Sequence, residues 1–235
     1  MMGESAKAFL LACCAVLALS GCATTAATNP RDPYEGFNRA MFEVNEAVDT
    51  VVAKPLAKGY ERAVPLPVKA SVGNFFANLA DLFIGVNNGL QGKVGDGASD
   101  FGRLLINSTV GLFGLFDVAS ELGLDKHDED FGQTLAVWGV GDGGFVFLPI
   151  LGPRTVRDTA GWIVDSRVDP IRRIPRVAVR NSAAGLRFVD VRASLLPADK
   201  LVDEAALDRY TYIRDAYLQR RLAQRYDGRP PKTQD

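Results

Sequence analysis

The one place where residue types and spacing specify a covalent reaction is Leu19-Ser20-Gly21-Cys22. An aliphatic residue, two small residues and a cysteine match the lipobox of lipoprotein signals. The small residues let the cleaved backbone enter a narrow peptidase site, and the thiol can carry a diacylglycerol thioether. The segment before it is built as a secretion signal. Lys7 supplies a positive start, partly offset by Glu4, and Ala8 to Leu19 is an uncharged apolar run. That run falls short of the about 20 apolar residues a membrane span needs. Residues 1–21 therefore read as a cleaved signal peptide and Cys22 as the lipidated start of the mature chain. Cys13 and Cys14 leave with the signal, so the mature chain enters an oxidising compartment with no disulfide.

Elsewhere reactive constellations are missing. The single histidine, His127, lies in Lys126-His127-Asp128-Glu129-Asp130. A metal site needs several ligands of suitable spacing, so this run reads as a solvated acidic loop. No G-x-S-x-G elbow provides a serine nucleophile. Gly89-Leu90-Gln91-Gly92-Lys93 has part of a phosphate-loop spacing, but position 87 is Asn and Val94 stands where Ser or Thr belongs. No pair of carboxylates is singled out. The expectation is a protein that is not an enzyme, with no metal, no cofactor and no nucleic-acid partner.

The near-neutral total charge hides an asymmetry. Residues 22–164 hold 11 basic and 17 acidic residues, whereas residues 165–235 hold 15 basic and 10 acidic ones. The basic half is nearly all arginine, which can pair bidentately with phosphate or carboxylate. Arg172, Arg173, Arg176 and Arg180 are the candidates to meet lipid phosphates or an acidic partner. The plain alternative is a solvated surface.

The elements that must position such groups read as predominantly helical. Residues 22–31 are small and polar, a flexible tether between lipid and body. Asp32-Pro33-Tyr34-Glu35 has the composition of a helix start, with Asp32 as cap. Phe37, Ala40, Met41, Val44, Val48, Val51 and Val52 then follow at helical spacing, and Pro55 is expected to end the helix. A second helical pattern starts at Val68. Leu82 to Leu90, Leu104 to Phe116 and Phe145 to Leu151 are apolar, uncharged and too short to cross a bilayer. Gly85 and Gly89 have the G-x-x-x-G spacing that lets helix backbones approach in lipid. Gly139 to Pro153 reads as loop or short strand, helix returns after about Val164, and Ala206, Tyr210, Ile213 and Tyr217 form a stripe that packs on the body. Residues 229–235 read as a frayed tail.

Several strings taken in order make the chain similar to the MlaA/VacJ family of outer-membrane lipoproteins. They are Asp32-Pro33-Tyr34-Glu35-Gly36-Phe37-Asn38-Arg39 with Met41-Phe42 and Asn45; Asn74-Phe75 with Asn78-Leu79 and Asn87 to Gly92; and Arg103-Leu104-Leu105-Ile106-Asn107-Ser108-Thr109 with Phe116-Asp117-Val118-Ala119. Glu129 to Leu135, Trp138-Gly139-Val140-Gly141, Leu151-Gly152-Pro153 and Arg214 to Arg221 complete the set. The resemblance spans roughly 32–228. It departs at Asp142-Gly143-Gly144-Phe145, where the family commonly has Gly-Pro-Tyr.

The resemblance implies a mainly α, ring-like helical domain, with little or no strand, lying within the periplasmic leaflet of the outer membrane. An amphipathic channel takes mislocalised phospholipids from the outer leaflet and hands them to a periplasmic lipid-carrier protein, beside a trimeric porin. Such a path has a physical rationale. At about 0.8 kcal/mol per methylene, exposing some thirty methylenes to water costs roughly 24 kcal/mol, so lipid cannot jump freely. Asn74, Asn78, Asn87, Asn88, Gln91, Asn107 and Thr109 are the candidates to line a wet headgroup path; the alternative is that they cap helices and satisfy buried backbone. Phe42, Val44 and Asn45 are candidates for gating, because they begin the helix nearest the tether. Ala23 lacks the aspartate that retains many enterobacterial lipoproteins at the inner membrane. Two other readings compete: a lipoprotein that scaffolds an outer-membrane protein without moving lipid, and a phospholipid-degrading enzyme. The absence of a nucleophile–base set weighs against the last. Replacing Asn87 and Asn88 with leucine is expected to abolish lipid removal while the fold survives, read by outer-leaflet phospholipid content.

Overall fold

A computed structural model describes residues 29–230. The signal peptide, Cys22, residues 23–28 of the tether and the end of the tail lie outside the described residues. The architecture is mainly helical, with one two-stranded hairpin.

Helix α1 (Glu35–Val48) starts two residues later than its sequence signature suggests. Asp32 does not cap it. The carboxylate is fully buried and accepts from Asn38 Nδ2 (2.8 Å), Tyr210 Oη (2.5 Å) and Arg214 Nη1 (3.1 Å). Asn38 also clasps strand β1 (Phe145–Leu148), donating to Phe145 O and accepting from Phe147 N. Pro55 does not end the helix either. Asp49–Ala53 form a π-helical turn, and α2 (Lys54–Ala63) continues from it. A proline ring clashes with the carbonyl four residues back in an α-helix; the wider turn relieves that clash.

Helix α3 (Leu66–Leu90) starts two residues before the expected Val68, with Pro67 in its first turn, where a missing N–H costs nothing. It runs 25 residues and turns at Gln91-Gly92-Lys93 into α4 (Val94–Thr109). The two helices cross closely at Gly85 and Gly97: a Cβ on Gly97 would stand 2.9 Å from the Gly85 carbonyl oxygen. Gly85 thus makes the close approach suggested for the Gly85/Gly89 pair, whereas a Cβ on Gly89 would meet nothing within 4 Å. Short α5 (Val118–Glu121) and α6 (Phe131–Val137) follow, both capped by aspartates, Asp117 and Asp130. Strand β1 pairs antiparallel with β2 (Gly152–Thr155), Phe145 opposite Thr155, within the stretch read as loop or strand. Helix α7 (Val156–Val168) begins well before the expected Val164, because Thr155 caps it by accepting from Asp158 N at 3.0 Å. A 3-10 turn (Pro170–Arg173) leads to α8 (Val177–Ser194), α9 (Leu196–Ala205) and α10 (Arg209–Arg225).

The packing closes a circuit. Helix α1 lies on β1, β2 on α7 and α10, α10 on α6, α6 on α3, α3 on α8, and α8 on α2, which continues α1. A small aromatic core sits where the ends of the chain meet. Phe145, Phe147 and Tyr210 are buried there with Met41, Phe42, Ile213 and Tyr217 packed on them, as the Tyr210–Tyr217 stripe implied. Phe42 meets Phe147 edge-on at 5.5 Å between ring centroids.

Outside this cluster the burial pattern is inverted. Fifteen polar or charged residues are buried among the described residues, against eleven hydrophobic ones. Meanwhile Phe113 is 79 % exposed, Val110 68 % and Leu105 65 %. Soluble monomers rarely expose large contiguous apolar surface. No helix among the described residues is long and apolar enough to cross a membrane.

Helices α6 and α7 approach through glycine. A Cβ on Gly161 would lie 2.4 Å from Gly132 N, against backbone that cannot yield. Gly161→Ala is expected to lower stability by about 1–3 kcal/mol, whereas Gly59→Ala, which would meet nothing within 4 Å, should not. Thermal unfolding of the detergent-solubilised protein compares them.

Candidate functional site

Besides the Asp32 cluster at the hairpin, three networks of buried polar residues tie helices together. Between α3 and α4, Asn88 Nδ2 donates to Asp100 Oδ2 (2.7 Å), and His127 Nδ1 stands 2.9 Å from Asp100 Oδ1. One turn away, Arg103 is 1 % exposed and spans Asp117 (2.9 and 3.0 Å), Ser120 Oγ and the Leu124 carbonyl. Its Nε lies 3.5 Å from Asp81, which also receives Lys126 Nζ at 3.0 Å. Burial pushes the Asp117 carboxyl up, but hydrogen bonds from Ser120, Asn107 and Arg103 outweigh it and hold the group at about 2. Burial dominates at Asp81, whose pKa stays above the ordinary carboxylate range despite Lys126.

The third network joins α6, α7 and α10. Asp158 accepts from Arg157, from Arg221 Nη2 and Nε (2.9 and 3.0 Å) and from Tyr217 Oη (2.7 Å). Arg221 also forks onto Asp130 at 2.7 and 2.9 Å. Burial opposes ionisation of Asp158, yet the Arg221 charge and these bonds keep its pKa below the usual value. Gly132 lies beneath this pair: a Cβ there would come within 2.8 Å of both Arg221 Nη2 and Asp158 Oδ1.

The seven lipid-path candidates separate by location. Asn74, Asn78 and Asn107 gather at a cavity of about 140 Å³ with Asp81, Arg103 and Lys126. Asn74 donates to the Leu115 carbonyl, Asn78 to Ser108 Oγ, and Asn107 to Asp117, while Asn107 Oδ1 accepts from Ala119 N. Asn78 Oδ1 is buried without a partner. Asn88 belongs to the Asp100 network. Asn87 faces a larger cavity, its Oδ1 accepting from Thr134 Oγ1 at 2.7 Å, and Gln91 reaches Glu129 at 2.7 Å beside it. Thr109 stands apart, exposed, bonded to the Leu105 and Ile106 carbonyls of its own helix. Asn88 therefore carries a cost that its sequence context concealed. Leucine there would leave Asp100 Oδ2 without its donor, with only His127 still facing Oδ1, so the double Asn87/Asn88 replacement perturbs folding as well as any path.

The gating candidates sit at the α1–hairpin junction. Asn45 clamps the hairpin turn, donating to Leu148 O (2.8 Å) and accepting from Ile150 N (2.6 Å); Phe42 is in the aromatic cluster, and Val44 is 45 % exposed. Of the four arginines, Arg172 is exposed, borders the cavity that Asn87 faces and stands over the Trp162 ring at 5.9 Å. Arg173 and Arg176 are exposed and Arg180 half-buried, and none of the four forms an ion pair among the described residues.

The cavity that Asn87 faces, about 350 Å³, opens between α3, the loop before α6, α7, the 3-10 turn and Arg187 of α8. Leu79, Phe83 and Ile84 supply an apolar wall, Trp162 an aromatic face, and Asp165, Asp169, Arg172 and Arg187 the charge. Asp165 and Trp162 escaped sequence reasoning because α7 has no clean apolar stripe to mark its inward face. A carboxylate inside the apolar Gly161-Trp162-Ile163-Val164 context was the available signal. Burial pushes the Asp165 carboxyl up to about 6, against the pull of the Phe131 amide that donates to it at 3.1 Å.

A polar interior, an apolar exterior and cavities lined by both define a protein built to work against lipid. The chain belongs to the MlaA lipoprotein family, whose model matches residues 30–224. It is 34% identical over 208 residues to the intermembrane phospholipid transport system lipoprotein MlaA of Escherichia coli, covering 86% of this chain and 82% of that one. It is 32% identical over 232 residues to the Haemophilus influenzae lipoprotein of the same name, covering 95% and 92%. A solved structure described as "Structural basis for maintenance of bacterial outer membrane lipid asymmetry" superposes with a TM-score of 0.72 at 32% identity, covering 84% of this chain and 99% of the other.

Asp165 yields a pH prediction. An unfolded aspartate titrates near 3.9, so the folded state, at about 6, binds this proton more tightly. The stability it contributes is complete below the unfolded value and is lost as pH rises through 6. Asp165→Asn removes the charge and keeps an acceptor for Phe131. It should stabilise the protein at pH 8 by roughly 1–2 kcal/mol, after discounting for partial exposure. At pH 4 the gain should shrink towards zero, as denaturant titrations at the two pH values would show.

Proposed function

We propose that this protein moves phospholipid at the outer membrane, taking mislocalised molecules from the outer leaflet and passing them to a soluble periplasmic carrier, so that lipid asymmetry is maintained. The observation that carries this reading is the inverted burial: Asp81, Asp100, Arg103 and Asn88 turned inward while Leu105, Val110 and Phe113 face out. In water such an exterior has no counterpart. In the apolar part of one leaflet it is solvated, and the inward polar groups pair with each other.

The body then lies in the periplasmic leaflet, with lipid on Cys22 orienting it from the periplasmic side and a trimeric porin beside it. Family membership and the names of the relatives support this placement, as does the lack of any membrane-spanning helix among the described residues. The unpaired Arg173, Arg176 and Arg180 suit lipid phosphates or an acidic partner. The energetic task is to spare the tails from water: a path with apolar wall and polar wall side by side lets headgroup and tails each keep a favourable neighbour. No nucleotide-binding motif is present in the sequence, so the protein alone equilibrates lipid and the net direction comes from its partners.

Counting outer-leaflet phospholipid in cells with and without the protein tests the reading. Intact phospholipid should build up on deletion and fall when wild type is restored. An unchanged leaflet would sink the proposal in favour of a scaffold, and loss of lyso-phospholipid would point to an enzyme.

A further inference from the structure

The cavity of about 350 Å³ beside α3 and α7 has an unusual charge balance. Five carboxylates line it: Asp128, Glu129, Asp130, Asp165 and Asp169. Four of them are already engaged by cations, Asp128 by Arg220 (3.0 Å), Glu129 by Lys93 (3.0 Å), Asp130 by Arg221 (2.7 Å) and Asp169 by Arg187 (3.1 Å). Asp165 alone has no cation within 4.0 Å among the described residues; it accepts only the Phe131 amide, through Oδ2. The cavity also has two arginines. Arg187 is taken by Asp169, and Arg172, at the exposed rim, makes no ion pair among the described residues. One anion and one cation are therefore left over in the same cavity.

Leaving a half-buried carboxylate unpaired is costly, and here the cost is visible in its raised pKa. Arg154 and Arg221 act on it only through space, and Asp130 opposes them. A metal ion is a poor partner for Asp165, because no group of three or more ligating side chains converges among the described residues. The Asp165 carboxylate suits a single monovalent cation. Arg172, held over the Trp162 ring at 5.9 Å, suits one phosphodiester. Leu79, Phe83 and Ile84 offer adjacent apolar contact. A cavity of about 350 Å³ is at the small end of ligand pockets and fits a headgroup rather than a whole diacyl lipid.

We infer that this cavity is a zwitterion site that takes an ammonium-bearing phospholipid headgroup, its ammonium against Asp165 and its phosphodiester against Arg172. The inference rests on the lipid-transport reading and gives it a substrate class: an ethanolamine-type headgroup is preferred over a glycerol-type one. The latter offers the phosphodiester but no cation, so Asp165 stays unpaired and repels it.

The test titrates full-length protein in detergent with dihexanoyl phosphatidylethanolamine, dihexanoyl phosphatidylglycerol and glycerophosphoethanolamine. Trp162 fluorescence in a Trp138→Phe background reads binding. The ethanolamine lipid should bind about tenfold tighter than the glycerol lipid. Asp165→Asn should bring the two within about twofold, Asp165→Glu should keep a preference, and Arg172→Gln should weaken both. Glycerophosphoethanolamine should bind more weakly than the lipid; equal binding would make a soluble zwitterion the ligand and overturn the lipid assignment. Equal affinity for the two lipids, or a preference that survives in Asp165→Asn, overturns the site. Vesicle-to-vesicle transfer by the same preparation separates the two failures. Transfer without headgroup preference leaves the transport reading standing and removes this inference, whereas neither binding nor transfer removes both.

Discussion

Asp158 accepts hydrogen bonds from Arg157, Arg221 and Tyr217, and Arg221 carries that carboxylate on to Asp130. Helices α6, α7 and α10 are joined through this one group. The constraint it expresses recurs through the body: a buried charge taken out of water is costly unless a fixed partner meets it. Breaking a buried pair leaves an uncompensated charge, at a cost of roughly 3–5 kcal/mol. Asp32 with Tyr210 and Arg214, Asp100 with Asn88, and Arg103 with Asp117 obey the same rule.

Glycine positions follow from that rule. Gly132 is glycine because the Arg221–Asp158 pair passes over it, and Gly161 because α7 must come close enough for Asp158 to reach. At Gly85 and Gly97 the same closeness lets short side chains on α3 meet charged ones on α4. Aliphatic packing carries less of the burden than in a soluble domain. The aromatic cluster around Phe145 is the main apolar core, and it seals the circuit where α1, the hairpin and α10 meet.

Function grows out of the places where pairing is incomplete. Large cavities survive because their walls are anchored by ion pairs behind them, as Asp130–Arg221 and Asp169–Arg187 anchor the wall that holds Asp165. In the proposed reading, the exposed apolar side chains meet lipid tails and the polar wall of the cavity spares a headgroup from them.

Much of this was legible in the residues alone. The lipobox, the predominance of helix, the hairpin region, the Tyr210–Tyr217 stripe and the close approach at Gly85 are local, and short-range periodicity or spacing encodes them. The polar character of the Asn74–Asn107 region was visible too. What each asparagine does was not, since Asn38 and Asn45 reach residues more than a hundred positions away. Asp32 read as a helix cap because its neighbours are cap-like; only the return of α10 brings Tyr210 and Arg214 to bury it. Pro55 read as a stop because a proline breaks an α-helix, and the π turn that accommodates it is set by packing on both sides. The sequence by itself determined the family and the kind of secondary structure. Which charges pair, and that Asp165 and Arg172 are left unpaired in one cavity, was decided by the tertiary structure, because ion pairing depends on distance in space and the partners lie on different helices.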